Sequence, residues 1–202
     1  MRPATEALIV IDLQNDFCPG GALAVAGGNQ ILPRVNALMA EFPTCVLTQD
    51  WHPANHASFA ENHPGAAPFS VIEMPYGEQV LWPAHCIQNT PGAEFLAGLE
   101  VARADHIFRK GFRPEIDSYS AFFENDHVTA TGLDDYLRGK GISRLTLVGL
   151  ALDFCVAWSA LDAARLGYDV TVIEGACRAI DLNGSLEDAR GAMVEAGVVL
   201  EN

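Results

Sequence analysis

Apolar positions along this chain alternate between two patterns. Short strand-like runs occur at Ala7–Leu13, Cys45–Thr48, His106–Arg109, Leu145–Gly149, Val170–Ile173 and Val198–Leu200. The first is continuously apolar, as in a strand covered on both faces. Between them lie stretches with helical spacing. Asn29–Phe42 brings Ile31, Leu32, Val35 and Leu38 to one face. Leu133–Lys140 is a short helix that Gly141 can cap at its C-terminus. Phe154–Leu166 is a helix ending at Gly167, and Leu186–Ala196 is another. Strands alternating with helices predict an α/β domain with a mostly parallel sheet and helices on both faces. Trp51 to about Pro91 breaks the pattern: it is rich in His, Pro, Gly and Asn and has no clear period. A loop that long in a compact domain is functional or disordered, and its aromatic and histidine content favours function.

In open α/β sheets, ligands bind beyond the carboxyl ends of the strands. The first strand runs into Asp12, the second into Gln49 and Asp50, the third into Arg109, Lys110 and Gly111, and the fourth leads through Asp153 to Cys155. Two acids, a lysine and a cysteine therefore converge on one rim. Cys155 is placed in the first turn of a helix with Asp153 as its N-cap. There the helix dipole and free amides favour a thiolate, and the same amides can hold an oxyanion. Asp12, at the end of an apolar strand, can exchange a proton with the thiol, and Lys110 can hold the carboxylate charged. Each has a plainer alternative: a small buried cysteine, an aspartate capping a turn, an exposed lysine at a strand end. Convergence favours the chemical reading.

A second group comprises Asp50, His52, His56 and His85. Residues i and i+2 of an extended segment point the same way, so Asp50 and His52 can share one ion, and His85 can reach it from the irregular region. Asp/His/His with open positions suits Zn²⁺, Fe²⁺ or Mn²⁺. The alternative is a set of hydrogen-bonded loop histidines. Phe17, just past Asp12, and Trp82, just before His85, are candidate walls for a flat ring. His63, His106 and His127 have no matching partner.

Composition narrows the function. The chain has 202 residues, 50% of them hydrophobic, enough for one sizeable core, and one domain over residues 1–202 is the expectation. No apolar run reaches the roughly 20 residues of a membrane span, and the N-terminus lacks the pattern of a signal peptide. The formal net charge is −14 with no basic cluster, which argues against nucleic-acid partners. Five cysteines without regular spacing favour a reducing, cytoplasmic setting and no disulfide framework; Cys18, Cys45, Cys86 and Cys177 are read as buried structural residues. The oligomeric state is open, and a homo-oligomer is compatible with the sequence.

The blocks IDLQNDFCPGGALAV, TQDWHPANHASFAENHPG, LWPAHCIQNTPGAEF, RKGFRPEIDSYSAFFEND, GLALDFCVAWSALDAARLGYDV and ACRAID occur in that order. From about residue 7 to residue 200 the chain resembles the nicotinamidases, a branch of the isochorismatase-like cysteine hydrolases. The resemblance implies an α/β/α sandwich on a six-stranded parallel sheet. It implies Asp12, Lys110 and Cys155 as catalytic triad and Asp50, His52 and His85 as ligands of one divalent metal ion. That ion is usually zinc and sometimes iron or manganese, and His56 is a candidate further ligand. The metal and its waters would hold the pyridine nitrogen. It also implies a ring held between Phe17 and Trp82, a cis Leu150–Ala151 bond, and an oxyanion hole from the amides of Ala151 and Cys155. The implied reaction is nicotinamide plus water to nicotinate plus ammonia, part of pyridine-nucleotide (NAD) salvage, with pyrazinamide as an alternative substrate. Leu152 and Phe154 depart from the small polar residue and the Tyr or His usual at those positions. An isochorismatase proper lacks the cysteine, a carbamoyl amidohydrolase would not need the three metal-type residues together, and a non-catalytic binding protein would not need an intact triad.

Overall fold

The structure, a computed structural model, describes residues 2–202. In chain order it runs β1 (Glu6–Ile11), α1 (Leu32–Met39), β2 (Thr44–Asp50), the hairpin β3 (Val71–Met74) and β4 (Gly77–Val80), β5 (His106–Lys110), α2 (Leu133–Gly139), β6 (Arg144–Leu150), α3 (Ala157–Arg165), β7 (Asp169–Arg178), α4 (Ser185–Glu195) and β8 (Val199–Glu201). Six strands form one parallel sheet in the order β5-β2-β1-β6-β7-β8, flanked by helices. This is the α/β/α sandwich on a six-stranded parallel sheet that the resemblance implies. Every residue of β1 and β2 is buried, as their apolar runs require of central strands. The edge strand β5 is mostly exposed until Lys110.

Strand order reverses beside β1. From there the chain builds outward through β2 and β5 on one side, and through β6, β7 and β8 on the other. Such a switch point leaves a crevice at the carboxyl ends of the two central strands. Asp12 follows β1 at this point, and the Ala151–Cys155 turn follows β6. Register does the rest: Asp50 lies beside Lys110 across the β2–β5 pair, and Ile11 lies beside Gly149 across β1–β6. Gly149 adopts φ +123°, and a Cβ there would run into the backbone of Ile11. The close approach of β6 to β1 at the site therefore needs glycine.

Several expectations change in detail. The helix expected over 29–42 is shorter, a 3-10 turn at Gly28–Ile31 leading into α1, with Pro33 in its first turn. β7 continues to Arg178, well past Ile173, because an irregular register between Leu147 and Gly149 of β6 lets pairing resume with Cys177 and Arg178. The aperiodic region contains a hairpin, β3 and β4, joined by Pro75 and Tyr76. Its strands are largely exposed and short, so neither buried alternation nor a continuous apolar run marks them. No helix among the described residues is long and apolar enough to cross a membrane.

Candidate active site

Asp12 is fully buried one residue beyond β1, with its backbone in the left-handed region at φ +45°. Thr48 of β2 holds it twice. The Asp12 N–H donates to Thr48 Oγ1 at 3.1 Å, and the Thr48 hydroxyl donates to Asp12 Oδ1 at 2.6 Å. Lys110, at the end of β5, turns its ammonium into the same space. It donates to Asp50 Oδ1 at 2.5 Å, to the Ser118 carbonyl at 2.8 Å and to Cys155 Sγ at 3.4 Å. Asp12 Oδ2 pairs with the same nitrogen at 2.8 Å. A carboxylate oxygen of Asp12 is within 4.8 Å of Cys155 Sγ.

The electrostatics follow from burial. Desolvation raises Asp12, Lys110 draws it back only in part, and Asp50 adds to the rise, leaving it at about 6. Burial alone would also raise Asp50, but Lys110 and His52 outweigh it and hold Asp50 below the usual carboxylate range. Lys110 stays charged because Asp12 and Asp50 overcome its desolvation. Burial pushes Cys155 well above an ordinary thiol, Lys110 opposes this, and Asp12 and Asp50 reinforce it. This corrects the expectation of a thiolate favoured by the helix dipole: at rest the group is a thiol, since a fully desolvated sulfur beside two carboxylates loses more than one turn of helix returns.

Asp50 points its other oxygen away from Lys110. Asp50 Oδ2 lies 3.5 Å from His52 Nε2 and 3.9 Å from His85 Nε2. His52 Nδ1 shares a 2.7 Å hydrogen bond with the Gly111 carbonyl and His85 Nδ1 a 2.8 Å bond with the Pro83 carbonyl. With both Nδ1 atoms bonded to backbone carbonyls, both Nε2 atoms face the carboxylate, which is the orientation a metal ion requires. The three donor atoms lie within 4.8 Å of one another. This donor set fits a divalent ion. Gly111, at φ +63°, is needed for it, because a Cβ would collide with the His52 ring. His56 is also buried; its Nδ1 bonds Ser58 Oγ at 2.7 Å and its Nε2 lies 3.2 Å from the Ile116 carbonyl, and it groups with His52 and Asp117 rather than with Asp50 and His85.

Between thiol and donor set lies a narrow pocket, with Phe17, Trp82, Phe154, Ala151 and Ile180 among its walls. Phe17 meets His85 edge-on, with centroids 5.4 Å apart. Trp82 is held by its indole N–H, which donates to the Tyr119 hydroxyl at 3.0 Å, and by Phe154, whose ring meets it edge-on at 4.9 Å. Phe154 thus buttresses the aromatic wall, while Leu152 is packed in the core and does not line the pocket. The Leu150–Ala151 peptide is cis. Asp153 does not cap its own turn: the residue preceding that turn is Ala151, and the Asp153 carboxylate bonds instead to residues 180, 181 and 185. The turn itself, Leu152–Val156, is a π-helical turn leading into α3.

Sequence reasoning gave no role to Thr48, Ser118 or Tyr119. Thr48 sits in an apolar strand where period marks only burial. Ser118 acts through its backbone carbonyl, which no side-chain pattern reveals. Tyr119 stands in one of the blocks that carried the resemblance, and that was the available signal.

Residues 6–200 match the isochorismatase domain. The chain is 56% identical over 192 residues to the nicotinamidase of Acinetobacter baylyi, covering 95% of this chain and 90% of that protein. A solved Acinetobacter nicotinamidase and pyrazinamidase superposes with a TM-score of 0.99 at 56% identity, covering 100% of this chain and 98% of that one. The pyrazinamidase of Pyrococcus horikoshii, solved in complex with zinc, superposes with a TM-score of 0.78 at 37% identity, covering 97% of this chain and 98% of that one. The chain therefore belongs to the isochorismatase family. Within it, its place is with the nicotinamidases, enzymes that act on an amide bond.

Proposed function

We propose that the enzyme converts nicotinamide and water to nicotinate and ammonia through a thioester on Cys155. The observation that carries this is the fully buried Asp12 carboxylate, paired with Lys110 at 2.8 Å and within reach of Cys155 Sγ. Asp12 takes the thiol proton, and the thiolate, stabilised by Lys110, attacks the amide carbonyl. The backbone amides of Ala151 and Cys155 receive the oxyanion. Asp12 then returns the proton to the departing ammonia. Water, deprotonated by Asp12, cleaves the thioester to nicotinate and restores the thiol.

Phe17 and Trp82 confine the pyridine ring so that the carboxamide meets the sulfur. A divalent ion held by Asp50, His52 and His85, zinc as first choice with iron or manganese as alternatives, would offer the ring nitrogen a Lewis-acidic anchor, directly or through its waters. Pyrazinamide, of the same shape, is the expected second substrate. Nicotinate re-enters pyridine-nucleotide synthesis. Five free, buried cysteines suit a reducing cytoplasm.

The test is ammonia release from nicotinamide by wild type and by Cys155→Ala. Wild-type turnover with loss of rate in the variant, while nicotinamide still binds, is expected. A near wild-type rate in Cys155→Ala removes the mechanism, and release from N-carbamoyl compounds but not nicotinamide moves the enzyme to a carbamoyl hydrolase.

A further inference from the structure

Asp153 stands two residues before the nucleophile and is buried, yet its carboxylate reaches out of its own turn. Its Oδ1 accepts the Ile180 N–H at 3.0 Å; its Oδ2 accepts the Asp181 N–H at 2.7 Å and the Ser185 hydroxyl at 2.6 Å. Ser185 Oγ in turn accepts the Leu182 N–H at 2.9 Å. Ile180, Asp181 and Leu182 lie on the segment between β7 and α4, whose backbone is left-handed at Asp181, Asn183 and Gly184, and Ser185 opens α4. Such a segment does not hold its shape by local preference. Ile180 lies at its start, half-buried, and its side chain forms part of the pocket wall together with Phe17, Trp82 and Phe154.

We propose that Asp153 is a positioning residue that sets the shape of the ring slot, by clamping the Ile180 wall to the same turn that carries Cys155. Nucleophile and apolar wall are then one rigid unit, and a flat ring inserted against Ile180 presents its carboxamide to the sulfur in a single register. Charge-assisted bonds from one carboxylate to two backbone amides and a hydroxyl are strong enough to order a strained connection. The plainer role, support of the start of α4 through Ser185 alone, predicts a loss of stability without any change in substrate recognition.

This inference rests on the nicotinamidase reading, so wild-type turnover of nicotinamide is measured first and failure of that reading shows separately. KM and kcat are then compared for Asp153→Asn, Ile180→Ala and the double variant. If the unclamped wall is in place about a tenth of the time, KM rises about tenfold while kcat stays within about twofold. Ile180→Ala raises KM in the same direction, and the double variant is no worse than Asp153→Asn, because the clamp acts through that side chain. Preference for nicotinamide over ring-methylated nicotinamides relaxes in parallel. An unchanged KM with a lowered melting temperature, a fall in kcat alone, or additive effects in the double variant overturns the proposal. Should Asp153→Asn fail to fold, Ser185→Ala removes one of the three donors: a smaller rise in KM supports the clamp and an unchanged KM overturns it.

Discussion

Replacing Lys110 with methionine keeps the length of the side chain and removes a charge that two carboxylates share. Asp12 Oδ2 and Asp50 Oδ1 lie 2.8 and 2.5 Å from its nitrogen, and all three groups are buried. Without the ammonium, two desolvated acids face each other with no cation. Breaking a buried pair by removing one partner costs roughly 3–5 kcal/mol. Part of this is relieved, because Asp12, already raised to about 6, rises further and takes up a proton. The lower end, about 3 kcal/mol, is therefore expected, which for a chain of this size lowers the melting temperature by roughly 6–12 °C. The pH dependence has a definite sign. An acid whose pKa in the folded state is raised binds protons on folding, so the stability it permits is greatest at low pH and is lost as pH rises through the folded value. The deficit of Lys110→Met against wild type thus shrinks between pH 8 and pH 5. The assay is thermal melting of metal-stripped proteins across that range, with Lys110→Met/Asp12→Asn as the partner variant. Removing one acid restores a large part of the loss if charge is the cause. A melting temperature within about 2 °C of wild type at pH 8, a deficit that grows toward pH 5, or no recovery in the double variant refutes the electrostatic account.

Two other outcomes follow from the same geometry. The acid limb of kcat/KM falls as pH drops through about 6, because Asp12 must be ionised to take the thiol proton and burial has raised it there; a profile flat down to pH 4.5 with metal content unchanged removes Asp12 as base. Gly111→Ala forces the His52 ring off its carbonyl anchor, since the added Cβ would sit 2.6 Å from Nδ1 in a residue already at φ +63°. Metal affinity, measured by titration of stripped protein, falls about 10–100-fold, and unchanged affinity shows that the histidine is not held as described.

The strand runs, their alternation with helices and the rim at the carboxyl ends were legible in the sequence, because burial on both faces of a parallel strand demands unbroken apolar residues. Asp12, Asp50 and Lys110 stood out because each ends a strand run, and Cys155 because it opens the helix that follows one. Asp50–His52 was readable because extended backbone has a period of two. The β3–β4 hairpin was not, since short exposed strands need no apolar pattern. Nor were the charge states. Whether Cys155 rests as thiol or thiolate depends on full desolvation and on two carboxylates brought in from β1 and β2, and local sequence contains neither. Asp153 shows the division most sharply. Its place before a helix suggests a cap, the commonest use of such an aspartate. Only the tertiary structure brings residues 180–185 over it, where two backbone amides and a hydroxyl compete successfully for its oxygens. Local pattern determines which residues are buried and which end a strand. The partners that set a buried group's charge and geometry come from residues far along the chain, and the fold alone decides those.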